Sequence, residues 1–208
     1  MLDEALALVD EQGLAGLTMR NLGERLGVVP MALYRHVKNK DDLLAGVIDQ
    51  LIVRLPLPGT DVGWREGLTA LAHSIRATLM AHPALVAPFT AQPSLGPNGL
   101  VVIEYAIGLL RRNGFSDQVA IHGEVTVLTY SIGFAGLEVP RRASGYRADG
   151  SVVPELEIPY GELPADQFPN VRAARPRLAE FVSDAQFEFG LECILDGLAR
   201  LRHDGAAS

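Results

Sequence analysis

Features that mark several common protein classes are missing from this sequence. A single cysteine, Cys193, occurs among 208 residues, so the chain cannot form an internal disulfide, and no Cys or His pairs have zinc-finger spacing. No stretch approaches the roughly 18 consecutive apolar residues of a transmembrane helix. The opening segment MLDEALALVDEQG has acidic residues at helical spacing, unlike the basic start of a signal peptide. These absences predict a cytoplasmic protein that does not contact a membrane.

Catalytic motifs are missing as well. The sequence has no G-x-S-x-G, no glycine-rich phosphate loop and no paired-carboxylate motif, although an enzyme needs its nucleophile, base and orienting group in one place. An enzyme is therefore not expected, and we predict neither a cofactor nor a metal site.

Positive charge is scarce overall but concentrated in one segment. The chain has 18 Lys and Arg against 25 Asp and Glu, for a net charge of −7. Residues 18–40 hold five cations and one anion, Glu24, which is five minus one, or +4. The cations are Arg20, Arg25, Arg35, Lys38 and Lys40. Any binding to nucleic acid must therefore use this local patch rather than the field of the whole chain.

Apolar residues recur at helical spacing along the chain, and no segment reads convincingly as a strand. With 48% of its residues apolar or aromatic, the sequence predicts an all-α globular protein. Near the N-terminus, Thr18 and Asn39 are candidate N-caps, Gly27 can end a helix, and Pro30 suits a first helical turn. Two short helices around a tight turn, packed on a preceding helix, indicate a helix-turn-helix unit.

The second of these short helices has two different faces. Leu33 and Val37 are expected to face inward. The opposite face, expected to meet solvent, would carry Met31, Tyr34, Arg35 and Lys38.

We expect a DNA-binding domain over residues 1–50 and a larger helical domain over 51–208. The larger domain should begin with a helix from Trp64 to Leu79. Residues 140–170 hold five prolines and are expected to form a long loop. Ser183 begins a Ser-x-x-Gln capping box that should open the last helix.

A middle helix is predicted between Asn98, as its cap, and Gly114. Its buried face is expected to carry Leu100, Ile103, Ile107 and Leu110. The next helix should begin at Ser116 and run towards Pro140.

The segment LTMRNLGERLGVVPMALYRHVKNKDDLL, residues 17–44, resembles the DNA-binding segment of the tetracycline repressor (TetR) family, and LYRHVKNKDDLL is especially similar. RRNGFS at 111–116 and FEFGLECILDGL at 187–198 resemble the branch with the tetracycline-repressor type of C-terminal domain. The resemblance implies an all-α homodimer that binds double-stranded operator DNA. It also implies that a fourth helix, at about 40–54, joins the two domains and tilts when an effector binds.

The resemblance assigns base contacts to four residues. Arg20 would reach a base from the second helix. Pro30, Met31 and Ala32 would lie at base edges and offer only apolar contact, for instance to a thymine methyl group.

The resemblance also implies contacts to the DNA backbone. Thr18 would contact a phosphate from the start of the second helix, and Tyr34 and His36 would hold phosphates. Lys40 would anchor the start of the fourth helix to DNA, while Arg35 stands at a position where family members vary.

The effector is expected to be a small, mostly apolar molecule. Tetracycline repressors bind a magnesium chelate through an Asn and a His, whereas the corresponding positions here are Leu71 and Pro88. Tetracycline is therefore not the expected ligand. The predicted ligand-binding residues are Tyr105, His122 and Tyr130, although a histidine hydrogen-bonded within a helix is the alternative for His122.

The last helix is expected to supply the dimer interface. The family pairs this helix with the eighth helix in a four-helix arrangement. The predicted interface residues are Phe187, Leu191, Ile194, Leu198 and Leu201. Burial of the same residues in the core of a single chain remains the alternative.

One other function is compatible with parts of the pattern. The three N-terminal helices could be a structural unit with a solvated basic face. The chain would then be a helical small-molecule-binding protein without specific DNA binding. We favour a ligand-responsive repressor with a palindromic operator, because the turn, the basic segment and the resemblance coincide.

Overall fold

The computed structural model describes residues 1–59, 61–91, 96–153, 163, 164 and 166–204. They form ten α-helices, and the one strand-like pairing among them is an isolated bridge between Tyr146 and Val152. The predicted all-α class is confirmed. The helices are α1 (Leu2–Gly16), α2 (Met19–Leu26), α3 (Pro30–Leu33), α4 (Lys40–Val53), α5 (Trp64–Ala81), α6 (Val86–Ala91), α7 (Pro97–Arg112), α8 (Asp117–Ala143), α9 (Pro169–Ala174) and α10 (Asp184–Asp204). Short 3₁₀ segments at Pro83–Leu85 and Arg175–Val182 precede α6 and α10.

Local capping signals set the ends of the N-terminal helices as the sequence predicts. Thr18 Oγ1 accepts a hydrogen bond from the amide of Asn21 at 3.1 Å, and Asn39 Oδ1 accepts one from Asp42 at 2.8 Å. Gly27 ends α2 with φ 68°, a left-handed conformation that favours glycine. These caps separate α2, α3 and α4 sharply, so three helices fit within 40 residues of chain.

The third helix is shorter than predicted. It ends at Leu33, and the chain continues as a turn in which His36 donates its amide to the Leu33 carbonyl at 2.9 Å. The predicted shared helical face does not form over this stretch, because Arg35 and Lys38 lie beyond the helix. Both side chains are nevertheless exposed.

Helices α1 to α4 enclose a small core of their own. Its buried residues are Ala5, Leu6, Leu8, Val9, Leu17, Leu22, Leu33, Val37, Leu43, Val47, Leu51 and Leu85. Leu85 comes from the 3₁₀ turn after α5, so the larger part of the chain contributes to this core.

Helix α8 is the centre of the larger domain and packs against α5, α6, α7 and α10. At its C-terminal end, Glu138 is 1% exposed and accepts two hydrogen bonds of 2.7 Å from Arg76 of α5. Arg76 also bonds to Asp184 at 2.6 Å. A carboxylate buried this deeply needs charged partners, so the cluster fixes the junction of α5, α8 and α10.

Helix α7 buries a face that overlaps the predicted one only in part, since Leu110 is buried as predicted and Ile103 and Ile107 are half-buried. It begins at Pro97 after Gly96, and its buried residues beyond the first turn are Val102, Ala106, Leu109 and Leu110. Leu100 is 62% exposed. Apolar residues occur on both sides of this helix, so periodicity alone does not identify the inner side.

The predicted loop at 140–170 starts later than expected. Helix α8 continues through Pro140 to Ala143. Residues 154–162 and 165 of this stretch lie outside the described residues.

The capping box at Ser183 is formed in part, with Ser183 Oγ accepting a hydrogen bond from the Gln186 amide at 3.2 Å. No helix in the described ranges is long and apolar enough to cross a bilayer.

Two leucines of α7 test which face is buried. Leu109→Ala removes a side chain that is fully buried, so it should lower the free energy of unfolding by about 3 to 5 kcal/mol. Leu100→Ala, the matched control on the exposed face, should change it by less than about 0.5 kcal/mol. Urea unfolding followed by circular dichroism measures both. Equal losses would show that α7 is rotated relative to this structure.

Candidate nucleic-acid interface and ligand cavity

The turn between α2 and α3 is held by a close contact of two backbone segments. The Val28 amide donates to the Gly23 carbonyl at 2.9 Å, and a Cβ added at Gly23 would lie 2.7 Å from the Val28 carbonyl oxygen. Gly23 was not among the predicted functional residues. A glycine inside a helix, where it costs about 1 kcal/mol relative to alanine, is the signal that could have identified this close approach.

An apolar surface is exposed at the start of α3. Val29 is 68% exposed and Met31 74%. Pro30 between them is also exposed, whereas Ala32 is half-buried. Pro30 and Met31 are therefore accessible, as base contact requires. Exposed apolar groups can meet thymine methyl groups in a major groove.

Polar groups that could hold phosphates surround this surface. Tyr34 is 49% exposed, and His36 next to α3 is also exposed. Thr18 is half-buried and caps α2 with its hydroxyl oxygen, which leaves the hydroxyl hydrogen available to an acceptor. Lys40 at the start of α4 donates from Nζ to the Leu14 carbonyl at 2.8 Å.

The local charge is less positive than the sequence count implies. Arg25 forms ion pairs with Glu4 at 2.6 Å and Glu11 at 2.7 Å, both from α1. The hydrogen bond from Arg25 lowers the pKa of Glu11, so this pair stays ionised at neutral pH. Arg20 pairs with Glu24 at 2.9 Å, but its side chain is 82% exposed and can exchange partners.

Other cations of this segment are free of carboxylate partners. No carboxylate of the described residues lies within 4.0 Å of the charged atoms of Arg35, Lys38 or Lys40. Together with exposed Arg20, they place four cations beside the apolar surface of α3. Such a combination suits a duplex, since cations neutralise phosphates while the apolar groups contact bases.

A small apolar cavity lies between the N-terminal unit and the larger domain. Its volume is about 30 Å³, which is space for one or two waters rather than a drug-sized ligand. The lining residues come from α4 and the turn that follows it, and from α5, α6, α7 and α8. They are Leu51, Ile52, Leu55, Ile75, Thr78, Leu79, Phe89, Gly99, Val102, Ile103 and Leu128. Among the lining residues that the structure describes, Thr78 alone has a side-chain hydroxyl.

None of the three predicted ligand residues lines this cavity, so ligand contact by Tyr105, His122 and Tyr130 stays a prediction. His122 is exposed on the outer side of α8. Tyr130 donates to the Phe187 carbonyl at 2.9 Å and stacks on the Phe187 ring, and desolvation raises the pKa of Tyr130 to about 12. The Tyr105 hydroxyl is buried near Gly67, without a hydrogen-bond partner in the described ranges, and desolvation raises its pKa. Periodicity shows which helices bear polar groups but not which side faces the cavity.

The predicted dimer residues are mostly core residues of one chain. Phe187 and Leu191 are 0% exposed and Leu198 is 6% exposed, so they cannot face a second copy. Ile194 is half-buried, and Leu201 is 48% exposed. The dimer prediction is therefore wrong for Phe187, Leu191 and Leu198. The alternative, that these residues belong to the core of a single chain, is confirmed for them.

Another apolar row is exposed on α10, and a parallel row runs along α8. Both rows repeat every fourth residue, the spacing that aligns side chains on one helix face. The α10 row consists of Phe189, Cys193, Gly197 and Leu201. The α8 row consists of Ile121, Val125, Thr129, Gly133 and Leu137. We refer to the two rows together as the α8/α10 face. A Cβ added at Gly133 or Gly197 would meet nothing within 4 Å, so both glycines are open to solvent.

Comparison with known proteins agrees with this arrangement. A family model described as "Bacterial regulatory proteins, tetR family" matches residues 1–47, and one described as "Tetracyclin repressor-like, C-terminal domain" matches 55–202. The class A tetracycline repressor protein from transposon 1721 of Escherichia coli is 33% identical over 201 residues, which cover 95% of this chain and 88% of that protein.

Two further relatives come from Streptomyces. The HTH-type transcriptional repressor DrrR1 of Streptomyces coeruleorubidus is 28% identical over 206 residues, covering 95% of this chain and 75% of that protein. The crystal structure of Streptomyces coelicolor ActR in complex with actinorhodin matches with a TM-score of 0.81 and 32% identity, covering 96% of this chain and 94% of that one. The chain therefore belongs to the TetR family of bacterial regulatory proteins, with a tetracycline repressor-like C-terminal domain, and is a ligand-responsive DNA-binding transcriptional repressor.

Proposed function

We propose that this repressor binds an inverted-repeat operator as a homodimer and leaves it when a small, largely apolar molecule enters the cavity beside α4. One observation carries the proposal. Leu51 of α4 is buried in the core of the N-terminal unit and also lines the cavity. A molecule that displaces α4 at Leu51 therefore disturbs the unit that contacts DNA.

The size of the cavity supports this coupling. Drug-sized ligands occupy pockets of roughly 300 to 1,000 Å³, whereas about 30 Å³ is open here. A ligand of that size can enter only if lining helices separate. Conformations with separated helices then gain population in proportion to the ligand's preference for them.

The lining chemistry supports an apolar ligand. Apart from the Thr78 hydroxyl, the side chains of the described lining residues are apolar. ActR, which is 32% identical, was solved in complex with actinorhodin, which supports a small-molecule ligand in general. We do not expect a magnesium–tetracycline chelate, because buried Leu71 and half-buried Pro88 have no metal-ligating groups.

The DNA contacts are proposed for the residues predicted from the sequence. Pro30, Met31 and Arg20 are placed to contact bases. Backbone contacts are proposed for Thr18, Tyr34, Arg35, His36 and Lys40. Ala32 is half-buried, so its contact requires close approach of α3 to the groove floor.

Two substitutions separate backbone contacts from base contacts. Lys40→Ala should weaken binding to the operator and to random DNA alike. It should also make the plot of log affinity against log salt concentration less steep, by about one to two per dimer. Arg20→Ala should reduce the preference for operator over random DNA, by about 1 to 3 kcal/mol per half-site if the arginine holds a guanine. Fluorescence anisotropy at several salt concentrations measures both, with a duplex selected from random sequences by the unmodified protein. An Arg20→Ala protein that loses affinity equally on all sequences would assign Arg20 to the backbone.

Homodimerisation is proposed through the α8/α10 face. The family resemblance pairs these two helices, and both carry exposed apolar rows here, with Phe189 65% and Val125 51% exposed. Such a pairing would place two recognition units on successive major grooves, about 34 to 36 Å apart.

One substitution tests this face. Phe189→Asp should convert the dimer to a monomer, because it would place a charge from each subunit in an apolar interface. Leu100→Ala, which alters an exposed leucine of α7, should leave the dimer intact. Analytical ultracentrifugation measures both, and reaction of Cys193 with a maleimide should be faster in the monomer. A Phe189→Asp dimer as tight as the unmodified one would exclude this face.

Coupling between ligand and operator is tested by its reciprocity. If a ligand releases DNA by favouring a displaced α4, the selected duplex must weaken binding of that ligand by the same factor. To change the operator from nearly fully occupied to nearly empty, the ligand must bind the conformation with displaced α4 roughly 10⁴-fold more tightly than the DNA-binding conformation. Titration of apolar candidate molecules, followed by Trp64 fluorescence with and without duplex, measures the factor. Equal affinities would instead indicate a helical ligand-binding protein whose cavity does not regulate DNA binding.

A further inference from the structure

Helix α4 is fastened to the start of α7 by one pair of polar side chains. Asp49 Oδ1 accepts a hydrogen bond from the Asn98 amide at 3.0 Å, and Asn98 Nδ2 donates to Asp49 Oδ2 at 2.7 Å. Nδ2 also lies 3.3 Å from the Asp49 carbonyl oxygen. The side chains thus join the two helices through both carboxylate oxygens. We refer to this pair as the Asp49–Asn98 clamp.

The clamp supplies the cap that α7 lacks in its own sequence. The N-cap residue is Gly96, which has no side chain to accept from the first-turn amides. The Asp49 carboxylate, which belongs to α4, accepts the hydrogen bond from the first-turn amide of Asn98 instead. Its negative charge also interacts favourably with the positive N-terminal end of the α7 dipole. A Cβ at Gly96 would overlap the Asp49 carboxylate, so the glycine keeps the space that the clamp needs.

The clamp lies directly beside the cavity. Leu51 and Ile52 follow Asp49 on α4 and line the cavity, and Gly99, Val102 and Ile103 follow Asn98 on α7 and line it from the other side. Separation of α4 from α7 is the movement that would enlarge this space. The clamp opposes that movement with hydrogen bonds to a charged group, which are stronger than neutral ones.

We propose that Asp49 and Asn98 are positioning residues that set the balance between the closed, operator-binding conformation and the open, ligand-accepting conformation. This inference rests on the proposed function, since it assumes that displacement of α4 ends DNA binding. It adds the residues whose interaction must be broken for the ligand to act. Neither lines the cavity, and neither is among the residues for which we propose DNA contacts.

Three variants break or rebuild the clamp. Gly96→Ala should displace the carboxylate without a change of charge, and its backbone at φ −70° is open to alanine. Asn98→Asp places two carboxylates against each other. The exchanged pair, Asp49→Asn with Asn98→Asp, restores a donor opposite an acceptor and keeps the net charge of the unmodified protein. Gln118→Glu, at an exposed site at the start of α8, is the control for the one negative charge that Asn98→Asp adds.

The expected result is loss and recovery of DNA affinity without ligand. Gly96→Ala and Asn98→Asp should bind the selected duplex roughly tenfold more weakly than the unmodified protein, since a hydrogen bond to a charged group is broken. The exchanged pair should recover to within about threefold, and Gln118→Glu should bind as the unmodified protein does. Hydrogen exchange of the amides of Gly99 and Leu100, which bond to the Gly96 carbonyl, should accelerate in the two clamp-breaking variants.

Other results would overturn the inference. Unchanged duplex affinity in Gly96→Ala and Asn98→Asp, with faster exchange in α7, would show that the clamp does not control DNA binding although the proposed function stands. Failure of the unmodified protein to select any duplex would reject the proposed function and this inference together. If Asn98→Asp unfolds, comparison of Gly96→Ala with the exchanged pair decides, and loss of affinity in both would contradict the clamp.

Discussion

Helix α4 has to satisfy two cores at once, and most of the arrangement follows from this constraint. Leu43, Val47 and Leu51 are buried against α1 to α3, whereas Ile48 and Ile52 are buried in the larger domain. A helix that turns its apolar residues to two neighbours cannot rotate or shift without disturbing both. The orientation of α3 towards DNA and the volume beside α7 are therefore properties of one packing arrangement.

The contacts between the two units outside α4 reinforce this arrangement. Leu85 reaches into the N-terminal core from the 3₁₀ turn after α5. Next to it, His82 Nδ1 lies 2.9 Å from a carboxylate oxygen of Asp10 in α1. These contacts join α1 to the end of α5, whereas the clamp joins α4 to α7. With one side fixed, displacement of α4 would take the form of a tilt rather than a separation of the domains.

The sequence predicted the features that depend on neighbouring residues. Thr18, Gly27 and Asn39 end or start helices as predicted, because caps involve residues only three or four positions apart. The ligand and dimer residues depended on which side of a helix meets its neighbours. Helix α10 has apolar residues on two sides, Phe187 and Leu191 inside and Phe189 and Leu201 outside, and both sides have helical spacing. The charge available to DNA in the basic segment was overestimated for a related reason. The carboxylates that pair with Arg25 come from α1, outside the segment whose charges were counted.

The closed state of the cavity has a kinetic consequence. The ligand that we propose is larger than the space of about 30 Å³ that is open beside α4, so under the proposed mechanism its entry awaits spontaneous separation of the lining helices. The observed association rate would then level off at high ligand concentration, at the rate at which the closed conformation opens. The apparent dissociation constant would likewise exceed the intrinsic one, by the reciprocal of the open fraction. Sensitivity to the inducing molecule is thus adjustable through packing far from any atom that touches it.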